Sequence, residues 1–280
     1  MLRVILPTDF SENAYNAITY AVKLLEHSTA VFYVMHAYSP PAYRMDYTFG
    51  SPGQFGLPDD HRYQVEEELD KIRNRIETEF PNTKHTYFTH AALNTLEDEI
   101  ESMSVKEHVD FVVMGTQGAT GAKEIIFGSN TVRSIDKLKI PVLAVPAAFA
   151  YTTPHNMLFP TDYEVDYNKA QFPFLLNFSK LWHSKLHILH VAHPDGLTAA
   201  QSDNKTFLEG KLLERNTEFY DLPDQELLVA IDDFLKENPM EMLVMVKNKH
   251  SLIEKLFMEP VIKNIGFHSE IPFLVLPYNP

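Results

Sequence analysis

The sequence has no cysteine, which removes disulfides, thiolate metal sites and cysteine nucleophiles at once. It is also short of positive charge, with 24 Lys and Arg against 38 Asp and Glu and a formal net charge of −14. That balance argues against binding nucleic acid or an anionic membrane through general electrostatics. An anionic ligand would have to be held by local main-chain donors. No stretch reaches the roughly 18 uninterrupted apolar residues of a membrane span. The opening MLRVILPTDF is broken by Pro7 and Asp9, so it reads as neither a signal peptide nor an anchor. These absences suit a protein of the reducing cytoplasm.

What is present is an ordinary globular composition, 45% hydrophobic and 22% charged over 280 residues. That length is comfortable for two domains, since domains run to roughly 100–200 residues. Residues 1–150 hold 13 Lys and Arg and 20 Asp and Glu, and the remainder 11 and 18, so each half carries −7. Leu2–Leu6 and Ala30–Tyr38 are short branched or aromatic runs of the kind buried on both faces of a parallel sheet. Between them Ala14, Ala17, Ile18, Ala21, Val22 and Leu25 keep helical spacing, with Ser11 as the expected N-cap. Residues 39–61, rich in Pro, Gly and aromatics, read as a long surface loop. A charged helix with a Val65, Leu69, Ile72 and Ile76 stripe follows, then a strand near Thr86–Ala91 and a helix through Leu96–Val105. Alternating strands and helices predict a doubly wound parallel α/β sheet.

The pattern then restarts. Met157–Tyr163 repeats Val4–Phe10 in kind, with Pro-Thr-Asp identical, and His190 in LHILHVA falls where His36 does. Leu243–Pro277 aligns without a gap on Val112–Pro146 at a constant offset of 131 positions. Three blocks in the same order indicate an internal duplication. The predicted units are 1–149 and 150–280, each a five-stranded parallel sheet. In the second unit Pro173 should delay or kink the first helix, and Gly196–Asn204 replaces the long aromatic loop.

Asp110–Pro146 carries the chemistry. An apolar run ends in Gly115, Gly118 and Gly121 follow, Gly128-Ser129 opens a helix toward Leu138, and Pro141–Val145 closes the unit. Glycine allows close approach of a ligand to the main chain, and the helix start offers unpaired N–H groups and a positive dipole end suited to phosphate. Ser129 and Thr131 add hydroxyls. The spacing is neither a Walker A loop, since Ala122 precedes Lys123, nor a G-x-G-x-x-G fingerprint. On the glycines alone the stretch reads as an ordinary strand-to-helix turn.

The G-x2-G-x9-G-[ST] pattern of Gly115, Gly118, Gly128 and Ser129 resembles the nucleotide loop of ATP-binding universal stress proteins. Pro7-Thr8-Asp9-Phe10-Ser11, the strand ending in His36-Ala37, and the closing Pro141–Val145 resemble that family as well. The likeness spans the whole chain as a tandem pair. It implies a Rossmann-like, adenine-nucleotide-binding fold whose ligand is ATP, ADP or AMP, with or without Mg²⁺. It places Pro7, Thr8 and Asp9 at the adenosine side, Ala37 against the base, and Met114 and Gly115 beside the nucleotide. Gly118, Gly128, Ser129, Asn130 and Thr131 would hold ribose and phosphates. It also implies that Val142–Val145 and Phe273–Leu276 pair as an internal pseudo-dimer, leaving open whether two chains associate and which protein partner is engaged. In the second unit Val246, Lys249, Glu259 and Pro260 replace the glycines and serine, so that half is expected not to bind ATP in this manner.

Three functions follow for testing. They are an adenine-nucleotide-binding stress-response or regulatory protein, a nucleotide-independent scaffold with a relic loop, and an adenylyl-transfer or pyrophosphatase enzyme. The enzyme is disfavoured because no S-G-G-x-D-S or H-I-G-H loop follows the first strand, and no catalytic residue is assigned. His183, His187, His190 and His193 read as scattered histidines, not a zinc site. Glu97, Asp98, Glu99 and Glu101 read as a solvated helix face.

Overall fold

The computed structural model describes residues 1–38, 58–116, 128–147, 149–247 and 271–278, with side chains described from 62 onward in the second span. The order is β1 (Leu2–Pro7), α1 (Glu12–Leu24), β2 (Ala30–Tyr38), α2 (Pro58–Glu79), β3 (His85–Leu93), α3 (Leu96–Lys106), β4 (Phe111–Gly115), α4 (Ser129–Lys137) and β5 (Val142–Val145). The chain continues through β6 (Asn156–Pro160), α5 (Phe172–Lys180), β7 (Lys185–Val191), α6 (Ala199–Leu212), β8 (Thr217–Leu222), α7 (Leu227–Glu237), β9 (Met242–Val246) and β10 (Phe273–Leu276).

The ten strands of the described residues join one sheet in the order β3-β2-β1-β4-β5-β10-β9-β6-β7-β8. Strand pairs are parallel within each half. At the centre β5 meets β10 antiparallel, with Leu143 opposite Leu274. Read outward from that junction, the two halves have the same strand order. The offset of 131 holds in space as well, since β4 and β9 end on Gly115 and Val246 and β5 and β10 begin on Val142 and Phe273.

Strand alternation splits the core into two layers. Val4, Leu6, Phe32 and Val34 pack under α1 and α2, while Ile5, Met35, Val112 and Met114 pack under α3 and α4. Both layers run on across the β5–β10 junction. Phe111 meets Phe174 and Phe178 of α5, and the Trp182 indole N–H donates to the Leu24 carbonyl at 3.0 Å.

Local sequence explains the helix starts. Ser11 accepts from the Ala14 N–H at 3.2 Å and caps α1. Pro173 lies in the first turn of α5, where a missing N–H costs nothing, so that helix begins late, not kinked. The expected loop through Gly196–Asn204 is shorter than the sequence suggested. Gly196 turns the chain at φ 75°, and Thr198 and Gln201 form a reciprocal capping box that starts α6 at Ala199. Of the predicted 39–61 loop, 39–57 lies outside the described residues, and α2 already begins at Pro58.

Candidate functional site

The site grows from the carboxyl end of β1. After Pro7 the Thr8 N–H donates to the Met35 carbonyl at 2.8 Å, and the Thr8 hydroxyl accepts from the Phe10 N–H at 3.0 Å. Phe10 turns through the left-handed region at φ 65°, unusual for an aromatic residue. Its ring lies 4.6 Å from that of His36, whose Nδ1 donates to the Thr8 carbonyl at 2.7 Å. A carbonyl only accepts, so this bond places a proton on Nδ1. Asp9 sits within the turn and accepts from the Ser11 N–H and hydroxyl at 3.1 and 2.5 Å. The helix cap is therefore Ser11, and Asp9 holds that cap in place.

The second wall is the start of α4. The Thr131 hydroxyl donates to the Gly115 carbonyl at 2.8 Å, and the Gly128 N–H to the Thr116 carbonyl at 2.6 Å. These two bonds pin the helix start to the end of β4. Gly128 is the N-cap but has no side chain to satisfy the first-turn N–H groups, and that turn contains no acidic residue. The N–H groups of Ser129, Asn130 and Thr131 lack intrahelical acceptors because of their position.

Between the walls is a cavity of about 290 Å³ lined by Pro7, Thr8, Asp9, Ala37, Met114, Gly115, Gly128, Ser129, Asn130 and Thr131. Every candidate taken from the sequence is here except Gly118, which lies outside the described residues. The cavity opens between β1 and β4, where the strand order reverses and open α/β sheets seat their ligands. Three lining residues went unassigned in the sequence: Ala14, His36 and Leu96. His36 had a signal in its match to His190, whereas Ala14 and Leu96 look like any apolar helix position. Among the described lining residues Asp9 is the one carboxylate. The cavity thus sets an acceptor at the β1 end against donors at the α4 end, an arrangement for a ligand with hydroxyls at one end and an anion at the other.

Behind α4 the structure corrects one expectation. The acidic run at the start of α3 is not a uniformly solvated face. Glu97 is only 5% exposed and receives the Arg133 Nε at 3.1 Å, while Arg133 Nη2 donates to Asn130 Oδ1 at 2.5 Å. Glu99 accepts from His90 at 2.6 Å and from Asn94 at 3.0 Å. Burial opposes its ionisation, but these bonds and the His90 charge more than offset that, holding the carboxyl below its usual range. The cause is packing: α3 lies against α4, so one stripe of its first turn faces protein.

The second half repeats the turn without the glycines. Thr161 N–H donates to the Leu189 carbonyl at 2.8 Å, Tyr163 turns at φ 59°, its ring lies 4.6 Å from His190, and His190 Nδ1 donates to the Thr161 carbonyl at 3.0 Å. Val246 stands in place of Gly115, and Lys249, Glu259 and Pro260 fall outside the described residues. The remaining histidines do not converge. His187 bonds Tyr220 and Asn156, and His193 is exposed beyond β7. A larger cleft, about 600 Å³, lies between the end of α5 and the end of α6, with Lys180, His183 and Arg215 on its rim. It sits at the amino edge of β7 and β8, opposite the edge that seats ligands in this class of sheet. The smaller cavity, with its convergent donors, is the better site.

A profile of the universal stress protein family matches residues 1–146. Universal stress protein MJ0577 of Methanocaldococcus jannaschii is 27% identical over 157 residues, 51% of this chain and 93% of its own. MJ0531 of the same organism is 25% identical over 152 residues, 51% and 81% of the two chains. A universal stress protein from Archaeoglobus fulgidus superposes on 99% of this chain and 96% of its own, with a TM-score of 0.62 at 18% identity, a likeness of fold. With its first half matched by the profile and its whole length sharing the fold, this chain belongs to the universal stress protein family.

Proposed function

We propose that the chain binds an adenine nucleotide, ATP, ADP or AMP, in the cavity between β1 and α4. One observation supports this above others: side chains from four separated stretches of sequence meet around a helix start whose N–H groups have no capping side chain. In this reading Asp9 accepts from the ribose side, Ala37 and Met114 flank the base, and the first turn of α4 with the Ser129 hydroxyl donates to phosphate. Gly118 would complete the phosphate grip. The cavity volume lies at the lower end of small-molecule pockets, about 300–1,000 Å³. A divalent cation such as Mg²⁺ would be held chiefly by the phosphates, because Asp9 is the sole carboxylate among the described lining residues.

The competent unit is proposed as residues 1–149, with 150–280 as a degenerate partner that keeps the turn and loses the glycines. The nucleotide is proposed to act as a regulatory ligand that biases one surface of the protein, with turnover slow at most. To test it, freshly purified protein is denatured and the supernatant chromatographed for ATP, ADP and AMP, and Mg-ATP is titrated calorimetrically into nucleotide-free protein. Retained nucleotide or saturable heat at one site per chain is expected. Neither would leave the nucleotide-independent scaffold as the reading.

A further inference from the structure

We infer that Glu97 and Arg133 are positioning residues that lock the Asn130 side-chain amide with its nitrogen toward the cavity, making that corner a phosphate-selecting donor. This rests on the nucleotide reading of the site and adds to it the discrimination between phosphorylated and unphosphorylated ligands.

The argument starts from Glu97. A carboxylate this buried is costly unless it is paired and hydrogen-bonded, and its partner is the Arg133 Nε at 3.1 Å. The pair fixes the guanidinium plane. Arginine has five N–H donors and no acceptor, so only the oxygen of the Asn130 amide can face Nη2, at 2.5 Å. The amide is planar, and its NH₂ therefore occupies the opposite corner. No described residue accepts from that nitrogen, and Asn130 lines the cavity. The NH₂ then joins the first-turn N–H groups of α4 as a further donor. A flipped amide would set its oxygen against phosphate oxygens, and Arg133 forbids the flip.

The same contacts could serve stability alone. Arg133 is 55% exposed but Glu97 only 5%, so the pair also matters to folding, because a buried carboxylate stripped of its partner is destabilising. Selectivity separates the two roles. Affinities for ATP and for adenosine are measured by calorimetry on the full chain, for wild type, Asn130→Ala, Arg133→Met and the double variant. Losing one charge-assisted bond should weaken ATP binding about tenfold in each single variant. The double variant should be no weaker than either single, because both act through one contact. Adenosine affinity should stay within twofold throughout. Glu97→Gln should weaken ATP in the same direction and by less. Arg133→Lys, which cannot bridge both partners, should stay impaired. Thermal unfolding of each variant guards against loss of fold, and if Glu97→Gln or Arg133→Met unfolds, Asn130→Ala at its exposed position carries the test. Equal losses for ATP and adenosine, additive losses in the double variant, or unchanged ATP affinity would each overturn the inference while leaving the site intact. Wild type that binds neither ligand would instead sink the nucleotide reading, and this inference with it.

Discussion

Gly128→Glu should raise stability and weaken nucleotide binding, and the two effects have opposite signs. Gly128 is the N-cap of α4 with φ −66° and ψ 156°, a conformation open to any residue, so the backbone asks for no glycine. Its N–H already donates to the Thr116 carbonyl, a bond the substitution keeps. A carboxylate near the positive end of the helix dipole contributes about 0.3–1 kcal/mol, and removing glycine from the unfolded chain adds roughly 0.4–1 kcal/mol. Together they should raise the melting temperature by about 1–3 °C for a chain this large. A phosphate seated on the same helix start would meet the new carboxylate. A charge pair 4 Å apart costs about 1 kcal/mol in water and about 4 kcal/mol at a dielectric near 20, or roughly fivefold to a thousandfold in affinity. The rim position favours the lower part of that range and predicts partial recovery in high salt. Differential scanning calorimetry and ATP titration on the same preparation check both signs. ATP affinity within threefold of wild type would refute the phosphate cradle, and a fall of several degrees in melting temperature would show that the fold itself needs this glycine.

Acid should weaken the fold through its buried histidines. Burial pulls His85 and His187 below the usual imidazole range, so the unfolded chain takes up protons near pH 6.5 that the folded chain still refuses. Stability is then complete above about pH 6.5 and is lost as pH falls toward the lowered folded values. The urea midpoint should drop between pH 7.5 and 5.5, and the drop should shrink in a His85→Gln, His187→Gln variant; an unchanged midpoint in wild type would contradict the assignment. The paired turns make a second comparison. His36→Ala and His190→Ala each remove a ring and the bond it donates to a threonine carbonyl, and each should cost roughly 1–3 kcal/mol in chemical denaturation. A large cost for His190 and almost none for His36 would mean that the first-half histidine serves the ligand more than the scaffold.

That comparison bears on how much was legible beforehand. The strand ends at Pro7 and Pro160 and the capping Ser11 followed from local chemistry, the glycine pattern took its meaning from the family resemblance, and all the described candidates meet in one cavity. The family resemblance implied the β5–β10 pairing, which also covers the edge that each last strand would leave exposed. The identity of Pro-Thr-Asp and of the histidine in both halves proves to mark a shared turn, so Thr8 and His36 carry structural weight besides lining the cavity. Other features were hidden for definite reasons. The role of Glu97 depends on Arg133, 36 residues away, and within the Glu97–Glu101 run nothing distinguishes the one carboxylate that faces α4. The start of α6 has a local signal in the capping-box spacing of Thr198 and Gln201, next to the turn at Gly196.

The antiparallel meeting of β5 and β10 has a consequence for concentration. An interface between separate subunits dissolves on dilution, and its stability cannot be stated without naming a protomer concentration. Here both strands belong to one covalent chain, so each meets the other at a fixed effective concentration however scarce the protein becomes. The central junction should therefore unfold with a midpoint independent of protein concentration. The cell would then have its two-unit assembly in a one-to-one ratio from the first molecule made.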